Sequence, residues 1–224
     1  MKKQNIFLVF MLNVVFAVNI HSFSEKNAEI IINQPSDEKV SVEVYLNEVE
    51  FDIINNKDGL FTKLNVSDYY ATNTIGHPEF PQINNLIEIP FGADISIDIE
   101  HEEFIDFNLK ENGYPALIYP AQRSISKSEN PVNIEFAFNE SIYNTNNFIN
   151  TDIVQVHDKG TMRSVRIANL MTTPFNYNPK TGVLRIYTEI KFNVTFENAN
   201  NKLIDTMKKQ YYSPYFEPIF KSAI

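Results

Sequence analysis

Between Leu184 and Phe196 the chain alternates strictly. Leu184, Ile186, Thr188, Ile190, Phe192, Val194 and Phe196 fall on one side, and Arg185, Tyr187, Glu189, Lys191, Asn193 and Thr195 on the other. A period of two sustained over this length is the signature of a long strand with one face in a core and one in water. Asn178-Pro179-Lys180-Thr181-Gly182 precedes it as a turn signal, since Pro fixes φ and Gly supplies a positive φ. Upstream, Arg163 to Leu170 sets Val165 and Ile167 between polar neighbours, which predicts a hairpin or a closely spaced strand pair.

The same alternation recurs. Val40, Val42, Val44 and Leu46 oppose Ser41, Glu43 and Tyr45; Ile95, Ile97 and Ile99 oppose Ser96, Asp98 and Glu100; Val132, Ile134, Phe136 and Phe138 oppose Asn133 and Glu135. Shorter candidates lie at 59–66, 86–89, 104–109 and 153–156. Eight or more strands separated by Pro- and Asn-rich turns predict an all-β fold, an elongated antiparallel β-sandwich, over an alternating α/β one. The one helix candidate, short and C-terminal, is Ala199 to Tyr211, where Leu203, Met207 and Tyr211 are four apart.

The N-terminal segment has a different purpose. Lys2 and Lys3 precede an apolar run from Ile6 to Val18 broken only by Asn13. A basic end followed by a run of this length has the layout of a secretory signal peptide, and the run is shorter than the roughly 20 residues a membrane span requires. Cleavage could follow Ala17 or Ser22, neither of them a clean small-x-small site. The expected division is a signal peptide over 1–22, a β-sandwich over 23–200 and a C-terminal extension over 201–224. The product would be exported, to the periplasm or beyond, with no membrane attachment after cleavage. Loss of Lys2 and Lys3 leaves 17 basic and 28 acidic residues, so the net charge moves from -9 to near -11.

Composition narrows the chemistry. The chain has no cysteine, so it carries no disulfide, thiolate nucleophile or cysteine-bound metal. Its acidity argues against nucleic acid as a partner, because such binders need cationic surface. His21 is expected to leave with the signal peptide or to lie at the new terminus. His77, His101 and His157 are widely spaced, and His101-Glu102-Glu103 lacks the second histidine of a metal-binding helix motif. Neither a Gly-x-Ser-x-Gly elbow nor a glycine-rich phosphate loop occurs. Asp94, Asp98, Glu100, Glu102, Glu103 and Asp106 form one acidic stretch. Calcium is the one cofactor such oxygens admit, but a solvated strand face explains Asp98 and Glu100 without it. Arg163 and Arg166 read as strand residues with structural partners. The residues make no positive case for catalysis, and a non-enzyme is expected.

Three punctuated segments carry a resemblance. They are Gly76-His77-Pro78-Glu79-Phe80-Pro81 with Ile87-Glu88-Ile89-Pro90-Phe91-Gly92; Tyr119-Pro120-Ala121-Gln122-Arg123 running to Lys127-Ser128 and Pro131; and Gly160-Thr161-Met162-Arg163 with Pro174-Phe175-Asn176-Tyr177-Asn178-Pro179. In order and spacing, over roughly residues 40–220, they resemble the propeptide of gingipain-type cysteine peptidases. The resemblance implies a β-sandwich that assists folding of a caspase-like catalytic domain and keeps it latent during export. It also implies a loop presenting a basic side chain to that domain's specificity pocket. The matching loop here spans Tyr119 to Pro131, with Arg123 as first and Lys127 as second candidate blocking residue. A pocket built for a substrate cation accepts a presented Arg through charge-assisted, bidentate hydrogen bonds. Lys208 and Lys209 resemble a basic site at which a propeptide is cut away. Because the sequence stops at Ile224 without a Cys–His domain, the reading is of a propeptide present without its peptidase, as a fragment or acting in trans. The competing reading is a secreted adhesion or glycan-binding β-sandwich, weakened by the absence of tryptophan; a third is a gene fragment without function.

Overall fold

The computed structural model of the chain describes residues 19–129, 134–149 and 152–218. Among them the strands are β1 (Ile20–Ser22), β2 (Glu29–Ser36), β3 (Lys39–Tyr45), β4 (Glu48–Asn56), β5 (Gly59–Asn65), β6 (Tyr70–Ala71), β7 (Pro81–Ile89), β8 (Asp94–Asn108), β9 (Val154–Met162), β10 (Val165–Thr172), β11 (Phe175–Asn178) and β12 (Val183–Glu197). Two helices, α1 (Glu140–Tyr143) and α2 (Asn201–Tyr211), complete the described set. Every pairing between these strands is antiparallel.

Three sheets share the work. One has the order β1-β4-β5, a second β6-β7-β10-β9, and a third β11-β12-β3-β2 with β8 added along the other edge of β12. The long alternating strand organises them. Along one edge β12 pairs first with β11 and then with β3; along the other it pairs with β8 for nearly its whole length.

Its even-numbered face is buried throughout, from Leu184 to Phe196 with Thr188 included. Ile190, Phe192, Val194 and Phe196 meet Val40, Val42 and Val44 of β3, Ile83, Ile87 and Ile89 of β7, and Ala168 and Leu170 of β10. Leu184 and Ile186 belong to a second cluster with Leu46, Val49, Phe51, Leu64, Phe107, Leu109, Ile118, Phe175 and Tyr177. One strand thus feeds two cores. Each large apolar side chain withdrawn from water contributes about 1.5–3 kcal/mol to their formation.

The opposite face of β12 departs from the expectation of a wet surface. Tyr187, Glu189 and Asn193 are buried there. Neighbouring side chains cover them: Asn193 accepts from Ser41 at 2.8 Å and donates to Glu100, while Asn176 donates to the Tyr187 hydroxyl at 3.0 Å. Glu189 is held between Lys26 and Lys191, the latter at 3.0 Å. Hydrogen bonding to Lys26 above all pulls the Glu189 carboxyl below the usual glutamate range, against the opposing effect of burial.

Two further expectations change. Residues 95–99 and 104–109 do not form separate strands; Ile95–Asn108 lies within the single strand β8. Its register against β12 shifts near Lys191/Phe192, where His101 and then Ile99 are the successive partners, leaving Glu100 unpaired as an extra residue. The alternation at 132–138 does not produce a strand: residues 134–139 are irregular, and Val132 and Asn133 lie outside the described residues. The turn at 178–182 forms as expected. Gly182 has φ 72°, its N–H donates to Asn178 O at 2.9 Å, and a Cβ there would sit 3.2 Å from that of Ala116.

Candidate functional site

The basic loop leaves the body at residue 119 and returns at 134, and both stems are fixed to the same patch of sheet. On the outgoing side Thr62 N–H donates to Leu117 O and Tyr119 N–H to Thr62 O, each at 2.8 Å; Glu79 N–H donates to Tyr119 O at 2.9 Å. Ala121 closes a reciprocal pair with the 76–77 turn, Gly76 N–H to Ala121 O and Ala121 N–H to His77 O, both 2.8 Å. Gly76 sits at φ 79°, and a Cβ would lie 3.3 Å from Asn139 N, so the turn needs glycine.

Gln122 bridges the stems. Its amide nitrogen donates to Pro120 O at 3.0 Å and Ala137 O at 2.9 Å, and its oxygen accepts from Ala137 N–H at 2.9 Å. This is why 134–138 needs no strand partner: a side chain supplies part of what a ladder would. Phe136 and Phe138, whose alternation predicted a strand, pack with Phe61 at 5.5 and 6.2 Å between ring centroids. Tyr119 joins at 5.9 Å from Phe61, and Phe138 stacks on Tyr143 at 4.2 Å. The Tyr143 hydroxyl donates to Ile118 O at 2.6 Å, and burial raises it well above the usual phenol range.

Just beyond the Gln122 bridge, the Arg123 side chain is 46% exposed. Its guanidinium makes two parallel bonds to Glu129, at 3.0 and 3.1 Å, and Ser126 N–H donates to the same carboxylate at 3.1 Å. The pairing moves both groups further into their charged ranges, Arg123 upward and Glu129 downward. Lys127 is exposed and, among the described residues, has no side-chain partner. Arg123 and Lys127 therefore share one loop but differ in state: one cation is held, the other free. Pro131 lies outside the described residues. Glu129 and Gln122 had no signal in the sequence, since a six-residue spacing across a loop has no periodic meaning.

Elsewhere, the predicted basic residues divide. Arg166 takes the structural part expected, donating to Asp158 at 2.8 Å and to the Pro90 and Ala93 carbonyls at 3.0 and 3.4 Å. Arg163 is not in a strand. It occupies the β9–β10 turn at φ 57°, its guanidinium 3.8 Å from the centre of the Phe216 ring. Lys208 and Lys209 lie exposed in the last turn of α2, where cations favour the helix dipole. That helix buries none of its side chains.

The acidic stretch runs along the exposed β8, and Asp106, Asp94 and Glu100 have separate partners. Asp106 makes a two-point pair with Arg185 at 2.8 and 3.0 Å, Asp94 accepts from Asn198 at 2.9 Å, and Glu100 accepts from Asn193. Ligand atoms of His101, Glu103 and Glu189 do converge within 4.8 Å. The ammonium groups of Lys26 and Lys191 already hold Glu189, so its carboxylate is part of an ion-pair network. His21, expected to leave or to end the chain, packs in β1 against Phe51 and Phe107, its Nε2 2.8 Å from the Tyr114 hydroxyl.

Against known proteins, the Propeptide_C25 family model matches residues 22–224. The chain belongs to the Propeptide_C25 family. It is 32% identical to Lys-gingipain HG66 of Porphyromonas gingivalis over 175 residues, 78% of this chain and 10% of that protein. To gingipain R2 of the same organism it is 25% identical over 199 residues, 88% of this chain and 26% of that one. The chain thus spans about a tenth of the Lys-gingipains it matches and about a quarter of gingipain R2. Among solved structures, one concerned with the zymogenic latency of gingipain K superimposes with a TM-score of 0.72 at 27% identity, covering 82% of this chain and all of that one. A second, the complex of the RgpB pro- and mature domains, gives 0.71 at 23% identity, with coverage of 89% and 97%, a likeness of fold. A gingipain propeptide domain with an all-β fold is what the sequence led one to expect.

Proposed function

We propose that this propeptide domain restrains, and assists the folding of, a gingipain-type cysteine peptidase domain, with Arg123 entering the peptidase's specificity pocket. Membership of the Propeptide_C25 family supports the partner. The observation that carries the role of Arg123 is mechanical: a long, part-exposed cationic side chain directly follows the point where the loop's stems are tied by backbone bonds, Gln122 and an aromatic cluster. A loop fixed in this way loses little conformational entropy on docking, so more of the interaction free energy appears as affinity. In a pocket lined by carboxylate, the planar guanidinium makes the same two-point contact that it makes with Glu129. Lys127, also exposed, is the secondary contact, and the acidic body around the loop leaves the two cations as its distinguishing charge.

The chain itself has no thiol for such chemistry, so the reading is of a non-catalytic domain. The N-terminal segment is read as an export signal, the destination being the periplasm or the exterior, and Lys208 or Lys209 as a place of release. The test is titration of a cognate catalytic domain with the purified domain, followed by cleavage of a chromogenic peptide. Stoichiometric inhibition is expected. Arg123→Ala should weaken it at least tenfold, and Lys127→Ala by less. A folded domain that leaves the peptidase fully active at micromolar concentration would overturn the proposal.

A further inference from the structure

The Arg123 guanidinium is already engaged in the free domain. We infer that Glu129 is a latch on Arg123: it holds the guanidinium in a closed loop and competes with any acidic pocket that receives it, so that inhibition is weaker and more selective than an unlatched arginine would give. The consequence for inhibition rests on the proposed role of Arg123; the latch itself does not.

Three observations bear on it. The contact is bidentate, with guanidinium nitrogens 3.0 and 3.1 Å from the two carboxylate oxygens. Glu129 is itself fixed, because Ser126 N–H donates to the oxygen that takes the shorter of these bonds, and Ser126 and Ser128 hydroxyls lie 3.0 Å apart in the same turn. Lys127, four residues along the same loop, has no comparable partner among the described residues. The carboxylate therefore discriminates between the two cations of the loop.

The arrangement has a chemical logic. A pocket carboxylate offers Arg123 the contact it already has, so docking exchanges one two-point pair for another. Only a pocket that adds further donors, acceptors or apolar walls yields a net gain. A weak or mismatched pocket displaces Glu129 less readily. Both side chains are 42–46% exposed, so the competition is worth a small factor and not an absolute block.

Trypsin supplies a probe independent of the cognate peptidase, since it too must draw a cation into an acidic pocket. Limited digestion of the folded domain, followed by mass spectrometry, reads cleavage after Arg123 and after Lys127 in one loop. Glu129→Gln should raise the initial rate after Arg123 by about two- to fivefold, the range of an exposed pair, and leave that after Lys127 unchanged. An equal rise at both positions would mean general loosening of the loop and would overturn the inference, as would no change at Arg123. With the cognate domain, Glu129→Gln should tighten inhibition by the same factor, and Arg123→Ala/Glu129→Gln should match Arg123→Ala alone. A tighter double variant, or a weaker Glu129→Gln, would also overturn it. If Arg123→Ala inhibits as well as the parent, the proposed role of Arg123 fails, and the trypsin ratio still decides the latch.

Discussion

Glu189 shows how a charge is kept inside this domain. Its side chain is only 5% exposed, yet it lies on the strand face that the alternation marks as polar. Lys26 reaches it from the segment between β1 and β2, and Lys191 from the next outward position of β12, so the carboxylate is buried and paired. Lys191 also approaches Glu43, and its ammonium is pushed up from the ordinary lysine value, chiefly by Glu189. The consequence for pH follows in sign from the depressed Glu189 value. Above the ordinary glutamate value of 4.5 the unfolded carboxyl is charged as well, and the stabilisation is fully present. It is lost as pH falls through the lower folded value, where the native state must also take up the proton. Glu129, Glu43 and Asp158, each lowered by a hydrogen-bonding partner, add to the same acid-side loss. Thermal melts from pH 7 to pH 3 should therefore show Tm falling below about pH 5. Glu189→Gln should lower Tm at pH 7 by about 2–4 °C, since Lys26 is half exposed and solvent screens the pair, and should flatten the fall on the acid side. An unchanged acid limb would show that other carboxylates dominate it.

At the scale of elements, β12 and β8 are hydrogen-bonded neighbours with opposite energetics. Phe192 of β12 is 1% exposed within the main core, whereas Ile97 and Ile99 of β8 are 37% and 41% exposed. Phe192→Ala should cost about 3–5 kcal/mol, the range for emptying an aromatic site in a packed interior. Ile97→Ala should stay within about 1 kcal/mol, because over a third of the residue already faces water and it belongs to neither core cluster. Urea unfolding of the two variants checks this directly, and similar midpoints would contradict the assignment of β12 as the shared wall of both cores. The same contrast explains what the sequence could and could not tell. Alternation is legible where one face meets a core, so β3 and β12 are recognisable from Val42 or Phe192 and their spacing, whereas in β10 the core face is Ala168 and Leu170 and the alternating Val165 and Ile167 lie on the half-buried side. It misleads at Phe136 and Phe138, whose rings serve an aromatic cluster while Gln122 takes the backbone of Ala137. It divides β8 because the extra residue at Glu100 breaks the period. The candidate loop was legible as a basic one. The Arg123–Glu129 pair was not, because the two residues meet through tertiary geometry that no repeat encodes.

For the whole molecule, the proposed export signal leaves two candidate cuts, and the fold favours one of them. β1 is the third strand of the sheet β1-β4-β5, with Ile20, His21 and Ser22 opposite Glu50, Val49 and Glu48. Asn19 O accepts from Phe51 N–H at 3.0 Å, and His21 stands edge-on to Phe51, Phe107 and Tyr114 with ring centroids 5.2–5.7 Å away. Removal after Ser22 would leave β4 and β5 as a bare hairpin and open the aromatic cluster of the second core. Removal after Ala17 would keep β1 whole. The expected mature terminus is therefore Val18, read by mass spectrometry of the protein recovered from the periplasm or medium. A recombinant chain starting at Phe23 should melt at least about 3 °C below one starting at Val18, a shift that loss of roughly 1 kcal/mol would produce in a domain of this size. Recovery of protein beginning at Phe23, with a Tm equal to that of the longer form, would show β1 to be dispensable. The three-stranded sheet would then draw its stability from β4 and β5 packing on Leu184, Ile186 and Tyr177 alone.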